Sequence, residues 1–180
     1  MGWRRWLGRD RLEGPARALY ETAVGQARLP AFYGALGVPD TLDGRFELVA
    51  LHGFLLMRRL RSVEPGGAAL GQGLFDIMFA DMDASLREMG AGDLGVGRRV
   101  KTMAKGFLGR VAAYDAALAG SEPLAAALGR NLYGTATPVP GTVETLAGYV
   151  ESAAKMLAEQ RCSDLLAGRA EFPAPPGGGR

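Results

Sequence analysis

Few side chains in this 180-residue chain are suited to chemistry, and their spacing rules out most of what they could do. His52 is the only histidine and Cys162 the only cysteine. An imidazole can ligate a metal or haem iron, or move a proton near neutral pH. Glu47, on the same predicted helix, stands five residues before it, about 140° away around the axis, so the two do not converge. The Glu-x-x-His pair of helical di-iron centres is missing. No second base is available to activate Cys162 or a serine, so the usual nucleophile–base–acid triads cannot be assembled. One cysteine leaves no internal disulfide and no multi-cysteine metal site, and it fits a reducing compartment. Two readings of His52 stay open: a buried, hydrogen-bonded side chain, or a haem or metal ligand. A carboxylate pair brought together by folding stays open as an acid–base couple.

Gly90-Ala91-Gly92-Asp93-Leu94-Gly95 spells G-x-G-x-x-G. No predicted strand leads into it and no Walker-type lysine follows, so it is neither a dinucleotide nor a triphosphate loop. Its glycines suit a sharp reversal between two helices.

Helices must position these residues, because no alternating run of β-branched residues marks a strand. The pattern predicts helices over 15–28, 31–36, 44–63, 68–89, 96–118 and 142–166, and a short one after Ser121 that ends near Tyr133. Pro15 suits a first turn, and the Ser121 hydroxyl suits a cap, with Pro123 in the turn that follows. The fold class is all-α: a single-domain helical bundle with a long central helical hairpin. Residues 1–14 read as a basic Trp/Arg arm, 15–168 as the helical domain and 169–180 as a disordered Pro/Gly-rich tail. A hydrophobic content of 48% over this length supports one real core. With 21 basic and 19 acidic residues, the net charge of +2 is too balanced for a dedicated nucleic-acid binder.

The most apolar run, Phe46 to Met57, contains Glu47 and His52 and falls well short of the roughly 20 residues a membrane span needs. The N-terminus has no apolar core for a secretory signal, and Trp6 stands where a myristoylation signal needs a small hydroxyl residue. Trp3, Arg4, Arg5 and Trp6 read either as an unstructured arm or as an interfacial anchor on anionic lipid.

On the first hairpin helix, Phe75, Met78, Met82, Leu86 and Met89 form an apolar stripe, with Phe79 beside it. Asp83 and Arg87 make a four-apart pair. On the second, Val100, Met103, Phe107, Val111, Tyr114 and Leu118 face the core, while Arg98, Lys101 and Lys105 share another face. These charges read as solvated flanks, or as a contact for an acidic partner, lipid phosphate or RNA. Arg98 and Arg99 fall in the expected first turn, where the helix dipole disfavours cations by roughly 0.3–1 kcal/mol each, so an anion should sit near them. The 44–63 helix is apolar nearly all round. Its arc of Leu48, Leu51 and Leu55 is either buried centrally or, with the neighbouring methionines Met78 and Met82, offered to a client.

Three passages carry a family resemblance: GRFELVALHGFLLMRRL at Gly44–Leu60, LFDIMFADMDASLREMGAGDLGVGRRVKTMA at Leu74–Ala104, and Gly109 to Gly134 from GRVAAYDAAL through ALGRNLYG. LYETAVGQARLPAFYGALGVPDT, ahead of them, also looks alike. They resemble the ubiquinol–cytochrome c chaperone family, assembly factors for cytochrome b of the quinol–cytochrome c oxidoreductase. The resemblance implies an α-helical, non-enzymatic chaperone without a cofactor. It implies newly synthesised cytochrome b as client, with a small helper protein and the ribosome near its tunnel exit as further partners. It also implies action at the cytoplasmic face of a bacterial inner membrane, on its anionic surface, because no long targeting extension is present. It assigns no catalytic residue. The rival readings are a membrane-peripheral helical adaptor and a haem-handling protein using His52.

Overall fold

The computed structural model describes residues 3–88, 93–134 and 136–177, with the backbone alone for 3–11, 93–96 and Arg99. Among these residues it is all-helical: α1 (Trp3–Ala27), α2 (Pro30–Tyr33), α3 (Leu42–Leu60), α4 (Gly67–Glu88), α5 (Asp93–Leu118), α6 (Leu124–Leu132), α7 (Thr142–Glu159) and α8 (Cys162–Leu166). The expected fold class and the central hairpin of α4 and α5 are both present.

The first helix differs from expectation. It begins at Trp3 and carries Pro15 inside it. Proline withholds one backbone donor, and the helix continues past the gap rather than starting there. Ala16, Leu19, Ala23 and Ala27 are its buried stripe. Small residues on this stripe bring α1 close to α4, where a Cβ on Gly73 would lie 3.2 Å from Ala16 Cβ.

Helix α3 is the axis of the bundle, touched by α1, α4, α5, α6 and α7. Thr41 starts it by accepting a bond from the Gly44 amide at 3.1 Å. Enclosure of its middle, from Ala50 to Leu56, explains why its sequence is apolar nearly all round there. Between α4 and α5 the rings of Phe75, Phe79 and Phe107 meet tilted or edge-on at centroid distances of 4.6 to 5.8 Å.

Further corrections concern helix ends, a cap and the tail. α5 starts at Asp93, so Arg98 and Arg99 lie beyond its first turn and an aspartate begins it instead, which suits the dipole. Ser121 does not cap α6: Pro123 holds the N-cap position in extended conformation. The last long helix stops at Glu159, and Gln160 and Arg161 are extended before α8. The 169–177 segment expected to be disordered packs on the body. Gln26 donates to the Pro173 carbonyl at 2.8 Å, Gln160 donates to that of Glu171 at 2.8 Å, and the Phe172 ring meets His52 at 5.1 Å.

Candidate functional site

Between α1, α3 and α4 runs an open groove of about 590 Å³. Val24 of α1, Phe46 and Val49 of α3, and Met78 and Met82 of α4 supply apolar lining, and Leu42, 43% exposed, stands at its edge. Polar groups keep to the rim. Tyr20 donates to Asp81 at 2.6 Å, joining α1 to α4 across one side. Burial first, then that carboxylate, pushes the Tyr20 hydroxyl well above its usual range. Asp40 and Arg45 pair at 2.6 Å, and the guanidinium bond holds the Asp40 carboxyl below the usual carboxylate range. Arg28 also lines the groove and has no ion pair among the described residues. An apolar floor with a charged rim can hold an apolar segment; it offers no nucleophile–base pair.

His52 lies elsewhere, fully buried in the bundle centre. Its Nδ1 is 2.7 Å from the Leu48 carbonyl and its Nε2 is 2.8 Å from the Tyr149 hydroxyl. The carbonyl can only accept, so Nδ1 carries the hydrogen and Nε2 accepts from Tyr149. Gln26 donates to the same hydroxyl at 2.9 Å, completing a one-way chain of bonds. Burial lowers the His52 pKa to about 4 and keeps the ring neutral. Both nitrogens are engaged, so the haem- or metal-ligand reading of His52 is corrected to a structural one. No group of three His, Cys, Asp or Glu among the described residues could hold a metal ion.

Glu47 is the second buried titratable group. Arg110 of α5 bonds its Oε1, while Glu47 Oε2 and Arg110 Nε find no partner. Burial raises the carboxyl to about 7 against the pull of Arg110. Arg110 folds back over Gly106, where a Cβ would lie 2.6 Å from its Nη1.

The other expected site residues divide. Leu48, Leu51 and Leu55 are 0%, 0% and 1% exposed, so the surface arc is corrected to a core position, enclosed by neighbouring helices. Met78 and Met82 are nearly as buried, at 1% and 9%, yet both line the groove. Arg98, Lys101 and Lys105 are exposed on α5, and the Arg99 side chain lies outside the described residues. The side chains of Trp3, Arg4, Arg5 and Trp6 also lie outside them, although their backbone is helical. Cys162 is exposed at the start of α8, with Arg59 Nη2 3.5 Å from its sulfur. The Asp83–Arg87 pair forms at 2.6 Å. The sequence reading missed Tyr20, Phe46 and Val49 as groove residues. Periodicity marks Phe46 and Val49 as apolar, but only the packing of α1 leaves them half-covered.

Arg58, Arg59 and Arg61 do more than favour the dipole at the end of α3. Arg58 and Arg61 both bond Asp115 of α5, at 3.0 and 2.6 Å. Arg59 donates to the carbonyls of Leu157 and Gln160 at 2.9 and 3.1 Å, satisfying acceptors at the end of α7.

A family model described as Ubiquinol-cytochrome C chaperone matches residues 34–172. The chain is 25% identical over 152 residues to ubiquinol-cytochrome-c reductase complex assembly factor 1 of Xenopus laevis, covering 84% of this chain and 76% of that one. The corresponding Mus musculus protein is 24% identical over 84% of this chain, which spans only 52% of the mouse length. The crystal structure of the Cbp3 homolog from Brucella abortus superposes with a TM-score of 0.82 at 38% identity, over 97% of this chain and 96% of that one.

Proposed function

The chain belongs to the ubiquinol–cytochrome c chaperone family, and we propose that it holds newly synthesised cytochrome b during assembly of the quinol–cytochrome c oxidoreductase. One observation carries this reading: the open apolar groove whose floor includes Met78 and Met82 and whose rim is polar. Flexible thioethers adapt to varied apolar side chains, which suits a holder of hydrophobic segments. The client surface is therefore the α1–α3–α4 groove, with Phe46 and Val49 replacing the buried leucine arc. The names of the relatives support an assembly role in this complex. A small helper protein and the ribosome near its tunnel exit are further partners in this proposal. The place of action is the cytoplasmic face of a bacterial inner membrane. No helix among the described residues is long and apolar enough to cross a membrane, so attachment there would be peripheral.

The test is purification of tagged protein from native membranes during active synthesis, after crosslinking, followed by mass spectrometry. Cytochrome b should be enriched, and Phe46→Asp with Val49→Asp should remove it while the melting curve stays cooperative. Recovery of no cytochrome b by a folded, crosslinked protein would reduce the chain to a membrane-peripheral helical adaptor.

A further inference from the structure

The outer face of α5 carries a row of exposed cations. Arg98, Lys101 and Lys105 are exposed, and none has an ion pair among the described residues. Elsewhere in the bundle Arg45, Arg58, Arg61, Arg110 and Arg130 each bond a carboxylate. No aspartate or glutamate occurs from Leu94 to Tyr114, so that stretch of α5 supplies Lys101 and Lys105 with no acid, and the side chain of Asp93, five residues before Arg98, lies outside the described residues.

The same face is not purely polar. Positions 98, 101, 105, 108 and 112 follow three- and four-residue steps and so form one line along the helix. Leu108, on that line, is 60% exposed. It stands at the mouth of an apolar cleft of about 460 Å³ between α3, α4 and α5, whose walls include Phe75, Phe107 and Val111. Apolar surface therefore runs from the leucine into the protein. Cations beside an exposed leucine on a helix of 26 residues, about 39 Å long, match an extended anionic plane with a hydrocarbon layer beneath it. RNA phosphates would engage the cations but give an exposed leucine on the same line nothing to insert into.

We propose that this face of α5 is a membrane-docking surface, with Arg98, Lys101 and Lys105 against the phosphates of an anionic bilayer and Leu108 inserted beneath them. The proposal rests on the chaperone reading only for the presence of a membrane nearby, and its test involves no client.

The test uses the full chain with vesicles of phosphatidylcholine, alone or mixed with phosphatidylglycerol. In a Cys162→Ser background, Leu108→Cys labelled with an environment-sensitive dye should shift to the blue on the mixed vesicles and not on phosphatidylcholine alone. Joint replacement Arg98→Glu, Lys101→Glu and Lys105→Glu should weaken partitioning by about a hundredfold at low salt, with the melting curve unchanged. Leu108→Ser should weaken it several-fold by itself. If the triple variant binds vesicles like the parent, or the dye at 108 stays in water while the protein is bound, the proposal fails and the N-terminal arm becomes the anchor. It fails equally if the triple variant loses only affinity for a structured RNA.

Discussion

The Tyr149 hydroxyl donates to Nε2 of His52 across 2.8 Å, the middle bond of a polar chain from Gln26 to Leu48 whose direction is fixed by the acceptor-only carbonyl at its end. Removing the hydroxyl leaves a buried imidazole nitrogen without its donor and the Gln26 amide with one acceptor fewer. Tyr149→Phe should destabilise the fold by about 1–3 kcal/mol, read as a lower urea midpoint with an unchanged slope.

Two buried groups give opposing pH dependences. The unfolded chain protonates His52 below its ordinary value of 6.5, whereas the folded state refuses the proton until about 4. Its contribution is therefore complete above pH 6.5 and is lost as pH falls toward 4. Glu47 runs the other way. Its folded carboxyl is raised from 4.5 to about 7, so stability is complete below 4.5 and lost as pH rises through 7. Between pH 4.5 and 6.5 the two slopes oppose each other and the urea midpoint should change little. Glu47→Gln should uncover a midpoint that rises with pH there, and His52→Gln one that falls, each by at most about 1.4 kcal/mol per pH unit. Parallel curves for both variants would sink this account.

Arg59 links the end of α3 to the end of α7 through two carbonyls. Arg59→Ala should lower stability by about 2 kcal/mol. Arg59→Lys should recover little of that, because one ammonium cannot span both acceptors as the guanidinium fork does. Hydrogen exchange in the last turn of α7 should speed up in both variants, which separates this local role from a general loss of stability.

Truncation after Ala170 removes the Phe172 ring from His52 and the Pro173 carbonyl from Gln26. The shortened chain should melt lower, and its His52 should titrate closer to 6.5, because water reaches the ring. An NMR titration of the single histidine would read this directly. An unchanged histidine titration would mean that the tail does not contribute to its burial.

The hairpin was legible because each helix carries an uninterrupted apolar stripe. Phe79, Met82, Phe107 and Tyr114 all face inward as their spacing requires. What escaped the sequence is what other segments impose. The α7–α8 break falls in Glu159-Gln160-Arg161, which holds neither glycine nor proline; its freed carbonyls are taken up by Arg59, more than 90 residues earlier. The tail looks disordered by composition, yet a phenylalanine ring, two backbone carbonyls and the Glu171 amide tie it down. For the groove, its methionines were identified, whereas Tyr20 and Asp81, 61 residues apart, meet only in the tertiary fold. The apolar pattern of α3 gave no sign of which side would be left half-open, because Phe46 and Val49 are as apolar as the buried leucines.

The seat of Phe172 beside His52 also bears on the order of events during biosynthesis. The aromatic surroundings of the histidine draw on α2, α3, α7 and the 169–177 segment, so they stay incomplete while residue 172 is still inside the ribosome. Ribosome-bound chains stalled before that residue has emerged should therefore hold a loosened centre, which closes only once residue 172 has left the tunnel.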